Sequence, residues 1–385
     1  MSKLKIGLVF SGEFPEGEVH NSRIRNIGLG FIKENWICDF ISIYPTSFSK
    51  QSNNLKQSSW KDQKIIHIGG WYRYPQSFVL RRLQIIYCHI AFIWFILFKT
   101  RKYDVLYFYT PQLVSTLPGL LLSKFIGKKI IVDYTDLHSV NKNSKWHKFE
   151  EKLIMQYADC LLVISNFLFS HFKSYQKNSF ITPMMINFSE FNQSIKPIPF
   201  NIGYIGSFGE KDGIPDILDA FSIALKKEPR LTLTMIGRDP QISKTKQKIK
   251  SLGLEDYVYL VGSINHAEIP SNLKKCDTFI MNRKKSIFSD SGYPAKLGDY
   301  LACNRPILMS DGILFSSDFN HKVEVLKYEH DNPSNLAEAI LYRYNHPEEM
   351  LEMSNRGLLY AKEKFDSERI SSKVVELANK LINSN

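Results

Sequence analysis

At 385 residues, 44% apolar and 23% charged, the chain has the composition of a globular protein long enough for two separately cored domains, which excludes a disordered or fibrous class. Its five cysteines are odd in number, scattered and never in a C-x-x-C pair, which excludes a disulfide framework or a zinc site and implies a reducing, cytoplasmic setting. The formal net charge of +12 is lopsided: residues 1–192 hold 24 Lys and Arg against 13 Asp and Glu, residues 193–385 hold 26 against 25.

Residues 4–10 open the chain as a strand, with Lys3 and Lys5 interleaved among apolar residues rather than laid out as a signal peptide, so the mature protein is expected to start at Met1. Short β-branched runs at 37–43, 64–69, 104–108, 128–133 and 160–165 then alternate with helical periods at 21–34, 78–100, 111–126 and 144–158. That βαβ rhythm predicts a parallel sheet covered by helices on both faces. The Ser-, Asn- and Gln-rich stretch from Thr46 to Lys61 reads as a mobile loop. From Leu83 to Phe98 only Gln84 and His89 interrupt an apolar run, bracketed by Arg81, Arg82, Lys99, Arg101 and Lys102. It is shorter than the roughly 20 residues that span a bilayer, so a buried or interfacial helix is expected, and the basic bracket favours an anionic surface.

A Pro-, Asn- and Ser-rich stretch near 183–199 breaks the rhythm, which restarts at 201–206 and continues through strands at 231–237, 257–262, 277–281 and 305–309. The expected division is residues 1–192 and 193–365, with a last helix in 366–385 packing back toward the first domain. The fold class is thus α/β, two Rossmann-like doubly wound domains. Ligands of such sheets bind beyond the carboxyl ends of the strands, so a cleft between two facing domains is the expected site.

Four segments carry candidate chemistry. In the segment from Ser289 to Leu308, Pro294 suits the first turn of a helix capped by Ser291 or Gly292, which puts Lys296 in that turn. A lysine adds positive charge to a helix end that is already positive, a conflict that a bound phosphate resolves. Asp299, one turn on, suits a ribose diol; the plainer reading is a surface ion pair between Lys296 and Asp299. The segment from Gly203 to Phe221 reads as strand, glycine-bearing loop and helix, and delivers Lys211 to a helix start without forming a Walker A or G-x-G-x-x-G loop. After the first strand, Gly12 and Gly17 allow close approach to a ligand ahead of a helix capped by Asn21 or Ser22, while Arg23 and Arg25 read as solvated. The run from Ile130 to Ser139 places Asp133, Asp136 and His138 at a strand end, where a histidine is more often structural than catalytic.

Taken in order, these segments resemble the family-4 retaining glycosyltransferases, glycosyl transferases group 1, of the GT-B fold. The run from Gly292 to Ala302 follows a subgroup pattern Gly-Phe-Pro-Thr-Lys-Leu-Gly-Glu-Tyr-Leu-Ala, with Arg283 at an upstream arginine position. Ala302, Cys303, Pro306 and Ile307 match the small-residue turn and Pro-Ile that close the family's motif, and Glu150 and Ser165 match the first-domain pattern. The resemblance implies a donor site of Gly17, Gly206, Ser207, Lys211, Gly237, Arg283, Ser291, Gly292, Lys296, Leu297 and Asp299, with Asp136, His138, Lys211 and Lys296 in catalysis. Ser291 stands where the family's first acid falls, leaving that contact to Asp290 or absent, and Thr135 precedes Asp136 where many members have His-Asp. No metal or cofactor is implied. The substrates implied are a UDP- or GDP-sugar and a glycan or polyprenyl-diphosphate-linked glycan, in bacterial surface polysaccharide assembly at the inner membrane face. A nucleotide-sugar epimerase on the same fold is the alternative; a nucleic-acid-binding protein fits the charge but lacks a recognisable reading module.

Overall fold

The computed structural model describes residues 3–12, 14–15, 19–44, 58–69, 75, 77–109, 113–135, 145–176, 178–238, 241–286 and 292–384. The chain divides into two compact units, Met1–Met185 with Ser367–Asn385, and Ile186–Asp366.

Unit 1 is built on β1 (Lys5–Phe10), β2 (Ile37–Ser42), β3 (Ser59–Trp60), β4 (Gln63–His67), β5 (Val105–Tyr109), β6 (Lys129–Tyr134), β7 (Cys160–Val163) and β8 (Ser179–Ile181). They form one sheet in the order β3-β4-β2-β1-β5-β6-β7-β8. Every pairing is parallel except β3 with β4. Helices α1 (Val19–Lys33), α2 (Phe78–Lys99), α3 (Leu113–Phe125), α4 (Lys145–Tyr157) and α5 (Asn166–Phe172) connect them. Strands covered on both faces need long apolar runs, and β1, β5 and β7 supply them, while β6 breaks its run at the buried Asp133.

Unit 2 repeats the plan with β9 (Asn201–Ile205), β10 (Thr232–Ile236), β11 (Val258–Gly262), β12 (Thr278–Met281), β13 (Ile307–Ser310) and β14 (Leu326–Tyr328), all parallel in the order β11-β10-β9-β12-β13-β14. Its helices are α6 (Ile214–Leu225), α7 (Ile242–Ser251), α8 (Ile269–Leu273), α9 (Ala295–Ala302), α10 (Pro333–Asn345) and α11 (Pro347–Phe365). The chain then returns to unit 1 as α12 (Ser367–Asn383), whose Val374, Val375 and Ala378 join Ile24, Ile27 and Phe31 of α1 in the core. The α/β doubly wound class is therefore the observed one.

Three local expectations are corrected. Ser59 and Trp60 are a strand, not the end of a mobile loop, because the Trp60 ring packs edge-on against Phe14 and Phe40; residues 45–57 lie outside the described ones. Helix α1 begins at Val19, so Asn21 and Ser22 fall in its first turn rather than at its cap. Helix α2 is 22 residues, so through Lys102 it is long and apolar enough to cross a membrane by length and composition, and it is buried on one side only: Gln84, Cys88, Phe92, Phe95 and Ile96 face inward, while Leu83, Ile86, Ile90, Trp94 and Phe98 are exposed. All five cysteines are free and buried.

Candidate functional site

In unit 2 the strand order reverses between β9 and β12, and a doubly wound sheet opens its ligand crevice at the carboxyl ends of such a pair. Gly206 and Ser207 follow β9, Gly237 follows β10, and Arg283 follows β12 after a single residue, Asn282. Lys211 lies in the 3-10 turn Glu210–Asp212 that precedes α6. Helix α9 starts at Ala295, with Pro294 at its cap position, so Lys296 is its second residue.

The anion that Lys296 requires is present within the protein. Its Nζ donates to Asp212 Oδ1 at 2.7 Å and to the Tyr204 hydroxyl at 2.9 Å, and sits 4.3 Å from the centre of the Tyr204 ring. Asp212 is 2% exposed, and the Arg283 Nε lies 4.0 Å from the same oxygen. Burial, partly offset by Asp212, lowers the Lys296 ammonium to about 8. Burial opposes ionisation of Asp212 as well, but Lys296, Arg283 and Lys211 outweigh it and hold the carboxyl below its usual range. Three cations thus converge on one carboxylate. The surface pair between Lys296 and Asp299 is not formed among the described residues, because Lys296 turns inward to Asp212.

The loop carrying this cluster is pinned from several sides. Asn282 donates its side-chain amide to the carbonyls of Asp212 and Gly213 and accepts from the buried Tyr328 hydroxyl. The Lys284 N–H donates to the Lys211 carbonyl, and the Arg283 N–H donates to Ser310 Oγ. The hydroxyl oxygen of Tyr300, on α9, accepts from the Ile205 N–H, which fixes α9 against β9. Gly206 and Gly237 meet closely, and a Cβ on Gly237 (φ +133°) would stand 1.9 Å from the Gly206 carbonyl oxygen.

Of the residues singled out in the sequence, Gly206, Lys211, Gly237, Arg283 and Lys296 are brought together at this edge. Ser207 is exposed beside them and Gly292 precedes α9. Asp299 lies one turn beyond Lys296, half-buried, and burial with the nearby Glu190 pushes its carboxyl up to about 7. Leu297 is placed in the core, 0% exposed, with its N–H donating to the Pro294 carbonyl. Gly17, Asp136, His138, Asp290 and Ser291 lie outside the described residues. Tyr204, Asp212 and Asn282 are not legible as site residues in the sequence.

In unit 1 the reading of Arg23 as solvated is corrected. Its guanidinium is 7% exposed, bidentate to Asp133 at 2.6 and 3.0 Å, and bonded to the carbonyls of Pro183 and Thr182 and to Thr182 Oγ1. Tyr107 donates to the same carboxylate. Asp133 is therefore fully engaged in holding α1 to the sheet. Ser165 caps α5 by accepting from the Leu168 N–H, and Glu150 is buried in α4.

Comparison with known proteins places these features. Residues 186–359 match the family model described as Glycosyl transferases group 1. An uncharacterized glycosyltransferase, YqgM of Bacillus subtilis (strain 168), is 26% identical over 131 residues, 33% of this chain and 36% of that protein, so the match spans about a third of the relative's length. Among solved structures, sucrose-phosphate synthase from Thermosynechococcus elongatus superposes with a TM-score of 0.77 at 16% identity, covering 100% of both chains. HepE of Anabaena, in complex with UDP, superposes with a TM-score of 0.75 at 14% identity, covering 98% of this chain and 100% of that one. At such identities the likeness fixes the fold, which is that of the GT-B glycosyltransferases. Residues 186–359, which contain the whole Lys296 cluster, are accordingly a glycosyl transferases group 1 domain, the module of a transferase family.

Proposed function

We propose that the protein is a retaining glycosyltransferase that moves a sugar from a UDP- or GDP-sugar to a glycan or polyprenyl-diphosphate-linked glycan. The observation that carries this reading is the convergence of Lys296, Arg283 and Lys211 on the carboxylate of Asp212 at the switch point of unit 2. When the glycosyl bond breaks, its electron pair leaves with the diphosphate, and preorganised cations stabilise that departing charge most in a site they already occupy. Lys211, Arg283 and Lys296 supply such charge, so transfer without a metal is part of the proposal. Asp299, one turn beyond Lys296, is assigned the ribose hydroxyls. HepE, with the same fold, has been solved with UDP and with UDP-glucose, which supports a uridine nucleotide here. Asp136 and His138 are assigned by the resemblance to the acceptor side of the reaction.

The reading extends to cytoplasmic work at the inner membrane face, in bacterial capsule, O-antigen or exopolysaccharide assembly, supported by the excess of Lys and Arg in residues 1–192. The test is a thermal-shift screen against UDP-, GDP-, ADP- and dTDP-sugars, each with and without a chelator and repeated with Lys296→Ala. One nucleotide class should raise the melting temperature with chelator present, and the substitution should remove most of that rise. An undiminished shift in the variant would sink the assigned site.

A further inference from the structure

Helix α2 has its polarity inverted. A helix on a water-exposed surface turns its polar side outward. Here Val79, Leu83, Ile86, Ile90 and Trp94, spaced by four, three, four and four residues, form an exposed stripe continued by Phe98. The polar Gln84 is 4% exposed on the inner side. No acidic residue occurs from Phe78 to Lys102. The inner side is fully committed to the fold: Phe92 packs so tightly on α3 that a Cβ at Gly119 would lie 2.2 Å from its ring. By length and composition the segment Phe78–Lys102 is long and apolar enough to cross a membrane, but with its inner side packed on the fold it is better suited to lie along a surface.

At the carboxyl end of α2 a cavity of about 380 Å³ is lined by Leu97, Phe98, Arg101, Ile126 and Lys128. Lys128 donates to the carbonyls of Arg101 and Tyr103, at 3.0 and 2.8 Å, with Asp104 as its nearby acid. Arg82, Lys99 and Arg101 have no acidic partner among the described residues. Phe125, beside Ile126 at the end of α3, is 87% exposed. Apolar walls beside Arg101 and Lys128, with Lys99 two residues before Arg101, match a phosphodiester with acyl chains attached. An apolar protein surface would instead bury those cations without counter-charge, at a steep desolvation cost.

We infer that α2 is a docking face for an anionic phospholipid bilayer, lying flat in the interfacial layer with a lipid phosphodiester seated between Arg101 and Lys128. This rests on the membrane-face reading of the proposed function and gives it a surface and a lipid chemistry. Trp94 and Tyr87 on the exposed side suit the headgroup level, where aromatic side chains with a polar edge gather. The helix then holds the enzyme where a lipid-linked acceptor resides.

The experiment is sedimentation of the full chain with vesicles of phosphatidylcholine alone or with about a third phosphatidylglycerol. The expected result is binding that depends on phosphatidylglycerol, falls with salt, and weakens about fivefold for each of Lys99→Gln and Arg101→Gln. Ile90→Ser with Trp94→Ser should abolish binding. Leu97→Trp, which fills the cavity without changing charge, should reduce the preference for phosphatidylglycerol while leaving binding to phosphatidylcholine as it was. All these variants should keep the nucleotide-sugar thermal shift, which reads the donor site separately. Equal binding to both vesicles, indifference to Arg101→Gln, or a dimer dispersed by Trp94→Ser without vesicle binding would overturn the inference.

Discussion

The Lys296 ammonium and the Asp212 carboxylate form a nearly buried ion pair at 2.7 Å, made between residues 84 positions apart and shared with Arg283. An internal carboxylate therefore holds together the cations that the proposed function assigns to the donor diphosphate.

Donor affinity should be bell-shaped in pH. Asp299 is pushed up to about 7 and accepts ribose hydroxyls best when ionised, so affinity rises as pH rises through 7. Lys296 is lowered to about 8 and holds phosphate only while protonated, so affinity falls as pH rises through 8. Asp299→Asn should remove the rising limb. Asp212→Asn should move the falling limb to lower pH, because burial, Arg283 and Lys211 then act on Lys296 without opposition. Lys296→Met should weaken binding tenfold or more, about 1.5–3 kcal/mol for a lost charged hydrogen bond. Titration calorimetry across this range checks each limb; a flat profile refutes the assignment.

The two glycines at the loop contact should separate stability from binding. Gly237→Ala meets backbone at 1.9 Å in a conformation side chains rarely adopt, and should cost on the order of 3 kcal/mol or more. Gly206→Ala meets the buried Tyr204 hydroxyl at 2.6 Å and the Lys296 Nζ at 3.1 Å, side-chain rather than backbone atoms, so it disturbs the Lys296 contact directly. It should cost roughly 1 kcal/mol yet remove most of the donor-induced melting shift. The reverse pattern would contradict the geometry.

Unit 1 should depend heavily on Arg23. Asp133→Asn or Arg23→Met leaves a buried charge without its partner, a loss of about 3–5 kcal/mol. Arg23→Lys should fare little better, because an ammonium does not reproduce the two-pronged contact. Urea unfolding monitored in unit 1 decides; a loss within experimental error would show the pair to be dispensable.

Much of this fold was legible because parallel strands covered on both faces must be largely apolar, and β1, β5 and β7 are, with β6 broken only at Asp133. The pieces of two or three residues, β3, β8 and β14, are too short to carry a period and depend on neighbours such as the rings around Trp60. The need of Lys296 for an anion came from Pro294 and the helix start. That Asp212 supplies it did not, because an acid beside Lys211 looks alike whether exposed or buried, and sheet topology alone brings it to α9. Arg23 misled for the same reason, its partner lying 110 residues away. Helix α2 showed its period but not its orientation, since apolar residues surround it.

The return of α12 to unit 1 has a consequence for how the molecule is made. The chain leaves unit 1 after Met185 and re-enters it at Ser367, with Ile186 and Asp366 paired side by side at the junction. The core around Phe31 is closed only when Val374, Val375 and Ala378 arrive. On a ribosome, where domains generally fold in order of emergence, the uninterrupted middle unit can finish first, and the half that begins the chain must wait, unsealed, for the final helix.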